Sequence, residues 1–100
     1  MNIDFADQAL ADLEDIADRI AADNPLRAIS FVAELVDRCR SLWPHPNRFP
    51  EVSQIGCRPI RKLTHGGYLI FYSVSPERIE IQRVVHGSRD WATSIFPPLF

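Results

Sequence analysis

No run of apolar residues in this chain approaches the ~20 that a membrane-spanning helix requires. The start, Met1-Asn-Ile-Asp4, lacks a basic stretch leading into an apolar one, so no secretory leader is expected and the cytosol is the expected location. Cysteine is scarce. Cys39 and Cys57 stand apart from any short metal-type spacing, and Cys39, on an apolar helical stripe, reads as a buried reduced thiol. His45, His65 and His86 are scattered without a spaced ligand motif, so neither a metal nor a cofactor is expected. A strong excess of positive charge is also missing. The net charge of −2 argues against a general nucleic-acid binder, whose affinity comes from neutralising phosphates, and no direct sequence-specific nucleic-acid binding is expected.

What is present is the composition of a globular chain, 46% apolar and 24% charged, of a length that builds one domain over residues 1–100 with one modest core. The charge is unevenly divided. Residues 1–43 carry nine acids against four bases, a net of −5, and residues 44–100 carry seven bases against four acids, a net of +3. Such a split fits two faces for two partners, or merely solvated surface.

Leu10, Leu13, Ile16, Ala17, Ile20 and Ala21 recur at helical spacing, with Asp12, Glu14, Asp15 and Asp18 mostly on the other side. Asn24-Pro25 ends this helix and starts a second, because asparagine suits an N-cap and proline the first helical position. The second helix is expected to run to about Trp43. Ala28, Val32, Leu35, Cys39 and Leu42 form one stripe, Ile29, Val36 and Trp43 a neighbouring one, and Pro44 and Pro46 stop the helix. Residues 44–56 read as a loop. Cys57 to Leu63 is a weak strand in which Pro59 favours an edge position. Thr64 to Gly67 is a turn, Tyr68 to Ser75 an apolar central strand, and Arg78 to His86 a last strand, joined as an antiparallel meander. Ile3 and Phe5 offer a further short strand at the start. The expected architecture is a two-layer α+β domain in the order (β)ααβββ, its helical hairpin packed on one face of a small antiparallel sheet.

The most informative stretch is Ile79 to Trp91, which alternates like a strand and then delivers His86, Gly87, Arg89 and Asp90 at its exit. Together with Ala9-Leu-Ala-Asp-Leu-Glu-Asp-Ile16 and Tyr68-Leu-Ile-Phe-Tyr-Ser-Val74, the segment Arg83-Val-Val-His-Gly-Ser-Arg-Asp90 resembles the ParE/RelE superfamily of bacterial toxins, over about residues 5–91. The His-Gly-x-Arg-Asp run is similar to the ParE branch. The resemblance implies a toxin of a type II toxin–antitoxin system with a cognate antitoxin. It also implies one of two actions, poisoning of DNA gyrase or ribosome-dependent cleavage of messenger RNA.

Metal-free RNA cleavage needs a cation for the phosphate and groups that move protons. In the RelE-type pattern an arginine stands second in the central strand. Here that position is Leu69. A pI near 5.8 also fits poorly with a ribosome-entering nuclease. The expected function is therefore a gyrase-binding toxin with no catalytic residues, and the alternative is a ribonuclease using Arg61, His86 and Arg89. A non-toxic module that only sequesters antitoxin is a third reading. Arg58, Arg61, Arg83, His86 and Arg89, in the basic half, are the expected target contacts. Arg83 has a second reading, an ion pair with a helix carboxylate such as Glu34 or Asp37, and His86 a second as a strand cap. Tyr68 and Tyr72 share a strand face and read as core. Trp43 is the candidate anchor for the antitoxin. The tail from Ile95 to Phe100 is either core or interface.

Overall fold

The computed structural model describes residues 2–88 and Trp91. Strand β1 (Asn2–Phe5) leads into helix α1 (Asp7–Ala21) and helix α2 (Pro25–Arg40). A 3-10 turn at Pro46–Arg48 precedes β2 (Glu51–Ile55), β3 (Arg58–His65), β4 (Tyr68–Val74) and β5 (Arg78–His86). None of these helices is long and apolar enough to cross a membrane.

The hairpin forms as its sequence directs. The Asn24 side chain accepts a hydrogen bond from the Arg27 amide at 3.1 Å, and Pro25 opens α2 where no amide donor is needed. Helix α2 stops at Arg40, one turn short of the expected Trp43. The Ser41 amide bonds back to Asp37, and Leu42 is buried while Trp43 lies half exposed beyond the helix. The layer of α1 and α2 side chains that includes Leu13, Ile16, Phe31 and Leu35 meets one face of the sheet, which supplies Leu63, Ile70, Tyr72, Ile79, Ile81 and Val84.

The strands lie in the order β1-β5-β4-β3-β2. From β2 to β5 the pairing is the expected antiparallel meander. The sheet as a whole is mixed, because β1 pairs parallel to β5, from Asn2 opposite Arg78 to Phe5 opposite Ile81. The chain leaves β1 through the two helices and re-enters at β2, the far edge of the sheet, running opposite to β1; three antiparallel reversals then bring β5 back beside β1 and parallel to it. The opposite face of the sheet has a second, smaller core of Ile60, Leu69, Phe71 and Val85, packed by Val52 and Trp91. Burial on both faces explains why β4 is apolar almost throughout.

Residues 44–56 are more structured than a loop, since they contain β2. Pro50 and Gly56 hid this edge strand, and a register shift between Glu51 and Ser53 breaks its alternation. The rest of the segment is tied down from the sheet. Tyr72 Oη donates to the Pro46 carbonyl at 2.6 Å, and Arg61 donates to the Asn47 carbonyl at 2.9 Å and to Glu51 at 3.1 Å. Strand β3, expected at an edge, is interior in the strand order. Pro59 pairs with Gln54 of β2, whereas the pairing of β3 with β4 begins only at Arg61, so the proline sits where one side of β3 is open.

Candidate functional site

Three strand ends meet at one corner of the sheet. His65 pairs with Tyr68, and Tyr68 pairs with His86, so the three rings stand in a row on the helix-side face. The row is fastened by the Gly87 amide, which donates to the Gly67 carbonyl at 2.8 Å. The turn between β3 and β4 runs through Gly66 at φ 54° and Gly67 at φ 83°, a region L side chains rarely adopt. A Cβ on Gly66 would also stand 2.9 Å from the Phe31 ring.

Phe31 of α2 covers the row, 6.0 Å from the His65 ring and 5.5 Å from Tyr68. The Arg27 guanidinium lies 5.1 Å over the Phe31 ring and pairs with Glu34, whose carboxylate reaches His65 Nε2 at 3.5 Å. The hydrogen bond from Arg27 holds the Glu34 carboxyl below its usual range, with a smaller contribution from His65. His86 meets Tyr68 edge to face at 5.2 Å. Its Nδ1 accepts the Ser88 amide at 3.1 Å and lies 2.7 Å from Ser88 Oγ. A neutral ring accepting at Nδ1 carries its proton on Nε2, so the free edge of an exposed His86 is a donor.

Between this corner and α1 lies a cavity of about 490 Å³, lined among others by Asp15, Arg19, Tyr68, His86 and Ser88. Beneath it, Asp12 grips β5. Its carboxylate accepts from Arg83 Nε at 2.8 Å and from a second Arg83 nitrogen at 3.0 Å, and it also takes the Val84 amide at 2.9 Å. Strand β1 pairs only as far as Ile81, and Asp12 takes over the edge of β5 beyond that point. The register shift opposite Phe71 and Tyr72 makes Gln82 the extra residue of a β-bulge, with Arg83 opposite Phe71.

The family description "ParE toxin of type II toxin-antitoxin system, parDE" matches residues 3–91. The chain belongs to the ParE toxin family. No curated protein sequence matches it. Among solved structures it is similar to a chromosomal ParDE system from P. aeruginosa. That match has 22% identity and a TM-score of 0.71, and covers 86% of this chain and 95% of the other. It is also similar to an archaeal RelE–RelB complex from Pyrococcus horikoshii, at 15% identity and a TM-score of 0.60, over 88% of this chain and 96% of that one. Both likenesses establish the ParE/RelE fold.

Within this ParE fold the expected target residues that are described, Arg58, Arg61, Arg83 and His86, do not form one patch. Arg83 is braced on Asp12 of α1 rather than on Glu34 or Asp37, and the pair is largely buried. Arg61 is spent on the 47–51 segment. Arg58 is half exposed and reaches Glu80 at 3.6 Å, but it begins β3 whereas His86 ends β5, at opposite ends of the sheet. His86 is exposed at the corner. Arg89 and the tail 95–100 lie outside the described residues. Tyr72 is core, as expected, and Tyr68 is partly exposed at the cavity. Asp12, Tyr68, Arg19 and Ser88 were not among the expected site residues. One sign of Asp12 was available: it stands three residues after Ala9 and four before Ile16, inside the apolar stripe.

Proposed function

We propose that this ParE-family toxin acts by binding DNA gyrase and trapping it on cleaved DNA, and that a cognate antitoxin neutralises it. The observation that carries this reading is the use the fold makes of its cations. Leu69, at the position of the nuclease-branch arginine, is buried in the apolar cluster with Phe71 and Val85. Arg61 and Arg83 serve as internal braces, and a brace cannot swing to a phosphate without giving up its partners. Ribonuclease chemistry would need these cations free, so the support lies with a binding surface. We place the target contact on the basic strand half as two separate points, His86 with its sequence neighbour Arg89 at one end of the sheet and Arg58 at the other, with Arg61 and Arg83 holding the strands that present them.

Expression of the chain alone in bacteria tests this reading. The expected result is broken chromosomes and arrested division with messenger RNA intact. Codon-specific cleavage of ribosome-bound messenger RNA with intact chromosomes would overturn it.

A further inference from the structure

Among the described residues, Arg27, Arg40, Arg58, Arg61, Arg78 and Arg83 each pair with a carboxylate. Arg38 and Arg48 have no such partner, in a chain whose net charge of −2 leaves acids to spare. They meet at Phe49, between the end of α2 and β2. The Arg48 guanidinium lies 5.0 Å from the centre of its ring and the Arg38 guanidinium 5.7 Å. Arg48 donates to the Ser41 carbonyl at 2.8 Å, and the Ser41 hydroxyl donates to the Arg38 carbonyl at 2.6 Å. These bonds hold the 3-10 turn against the helix end and keep the two cations together. Asp37, the neighbour of Arg38 in sequence, leans toward Arg40 at 3.9 Å. Arg61 donates to the Phe49 carbonyl, but its charge is matched by Glu51. The Arg38 side chain makes no hydrogen bond among the described residues, and Arg48 keeps the rest of its fork of donors uncommitted.

We infer that Arg38 and Arg48 form a contact for the phosphate backbone of duplex DNA, made without reading its sequence. A guanidinium presents a planar fork of donors that matches phosphate oxygens, and one already stacked on a ring has less freedom to lose on binding. The Phe49 ring is covered by these cations, so it offers no platform for an unpaired base, which favours a duplex over a single strand. An acidic peptide must place its carboxylates at one spacing, whereas a duplex carries a charge every ~1.7 Å of its axis and meets the pair in any register. Two contacts on an acidic chain bind weakly, so this one adds to a contact made elsewhere on the molecule. That the duplex met in the cell is the one held by gyrase rests on the functional reading above; the contact itself does not.

A fluorescent duplex of arbitrary sequence, about 20 base pairs long, tests it when titrated with the full chain at several low salt concentrations and followed by anisotropy. The logarithm of affinity should fall against that of salt with a slope of about −1.8, or ~0.9 for each of two phosphates. Arg38→Gln and Arg48→Gln should each bring the slope to about −0.9, and the double variant, folded by circular dichroism, should show no salt-dependent binding. Arg38→Lys combined with Arg48→Lys keeps both charges and should keep the slope. Arg78→Gln removes the same charge from a pair with Asp4 and should leave the slope unchanged. A slope near zero for the natural chain, an equal loss in Arg78→Gln, or tighter binding to polyglutamate or single-stranded DNA than to the duplex would each overturn the proposal. The titration contains no gyrase, so toxicity on expression is read separately and stands or falls on its own.

Discussion

Asp12 is the residue on which two layers depend. Replacing it with alanine strands the Arg83 guanidinium and the Val84 amide in a largely buried place, and loss of one partner from such a pair outweighs what the pair contributes while intact. We expect Asp12→Ala to cost about 3 kcal/mol in urea unfolding; a loss below about 1 kcal/mol would show that the brace is unimportant. A second residue-scale prediction concerns alkaline stability. Burial raises the Cys39 thiol from 9 to about 12, and burial raises the Tyr72 phenol from 10 to about 12 despite the nearby Arg61 and Arg48. In these windows the folded chain holds protons that the unfolded chain has released, so stability is complete below pH 9 and falls as pH rises toward 12. Between pH 9 and 10 Cys39 contributes more than Tyr72, because its unfolded-state value is the lower. Cys39→Ala should therefore flatten the decline there, as read from urea midpoints; an unchanged slope would contradict the assignment.

At the scale of elements, the hairpin and the central strands were legible because each announces itself locally. Asn24-Pro25 marks a helix boundary through capping chemistry, and Asn24→Ala should cost about 1 kcal/mol, seen as a fall of roughly 4–8 °C in Tm. No change in Tm would mean that the boundary is set by packing instead. Other elements were harder to read because tertiary contacts decide them. Glu51–Ile55 becomes a strand only beside β3, which supplies its hydrogen bonds and buries Ser53. The bulge at Gln82 is equally silent in a sequence that alternates without a break. Strict alternation puts Arg83 on the same side as Ile81, whereas the extra residue lets Val84 rejoin Ile79 and Ile81 in the helix-side core. The candidate site suffered from the same limit. His86 was visible as a polar residue at a strand's end, but the partners that position it, Ser88, Tyr68 and Gly67, are brought together by register and by a glycine turn. Arg61 looked like a free cation because the carbonyl that claims it lies 14 residues away, and for Arg83 the sequence offered a helix carboxylate but not which one, since Asp12 lies 71 residues away on the first helix.

For the whole molecule, the uneven charge of the sequence acquires a geometry. The acidic half, −5 over residues 1–43, displays Asp7, Glu14 and Asp18 beside an apolar groove on the outside of the hairpin. The basic half, +3 over residues 44–100, builds the sheet whose corner presents His86. Two surfaces of opposite character on two layers suit a toxin that meets a target with one and an antitoxin with the other. The measurement that tests this account most directly is a gyrase cleavage assay with purified chain, gyrase, supercoiled plasmid and ATP, in which linear DNA is quantified after the protein is denatured. Linear plasmid is expected that requires both proteins and is lost with His86→Ala while the variant remains folded. Plasmid that stays supercoiled with every protein present would contradict it.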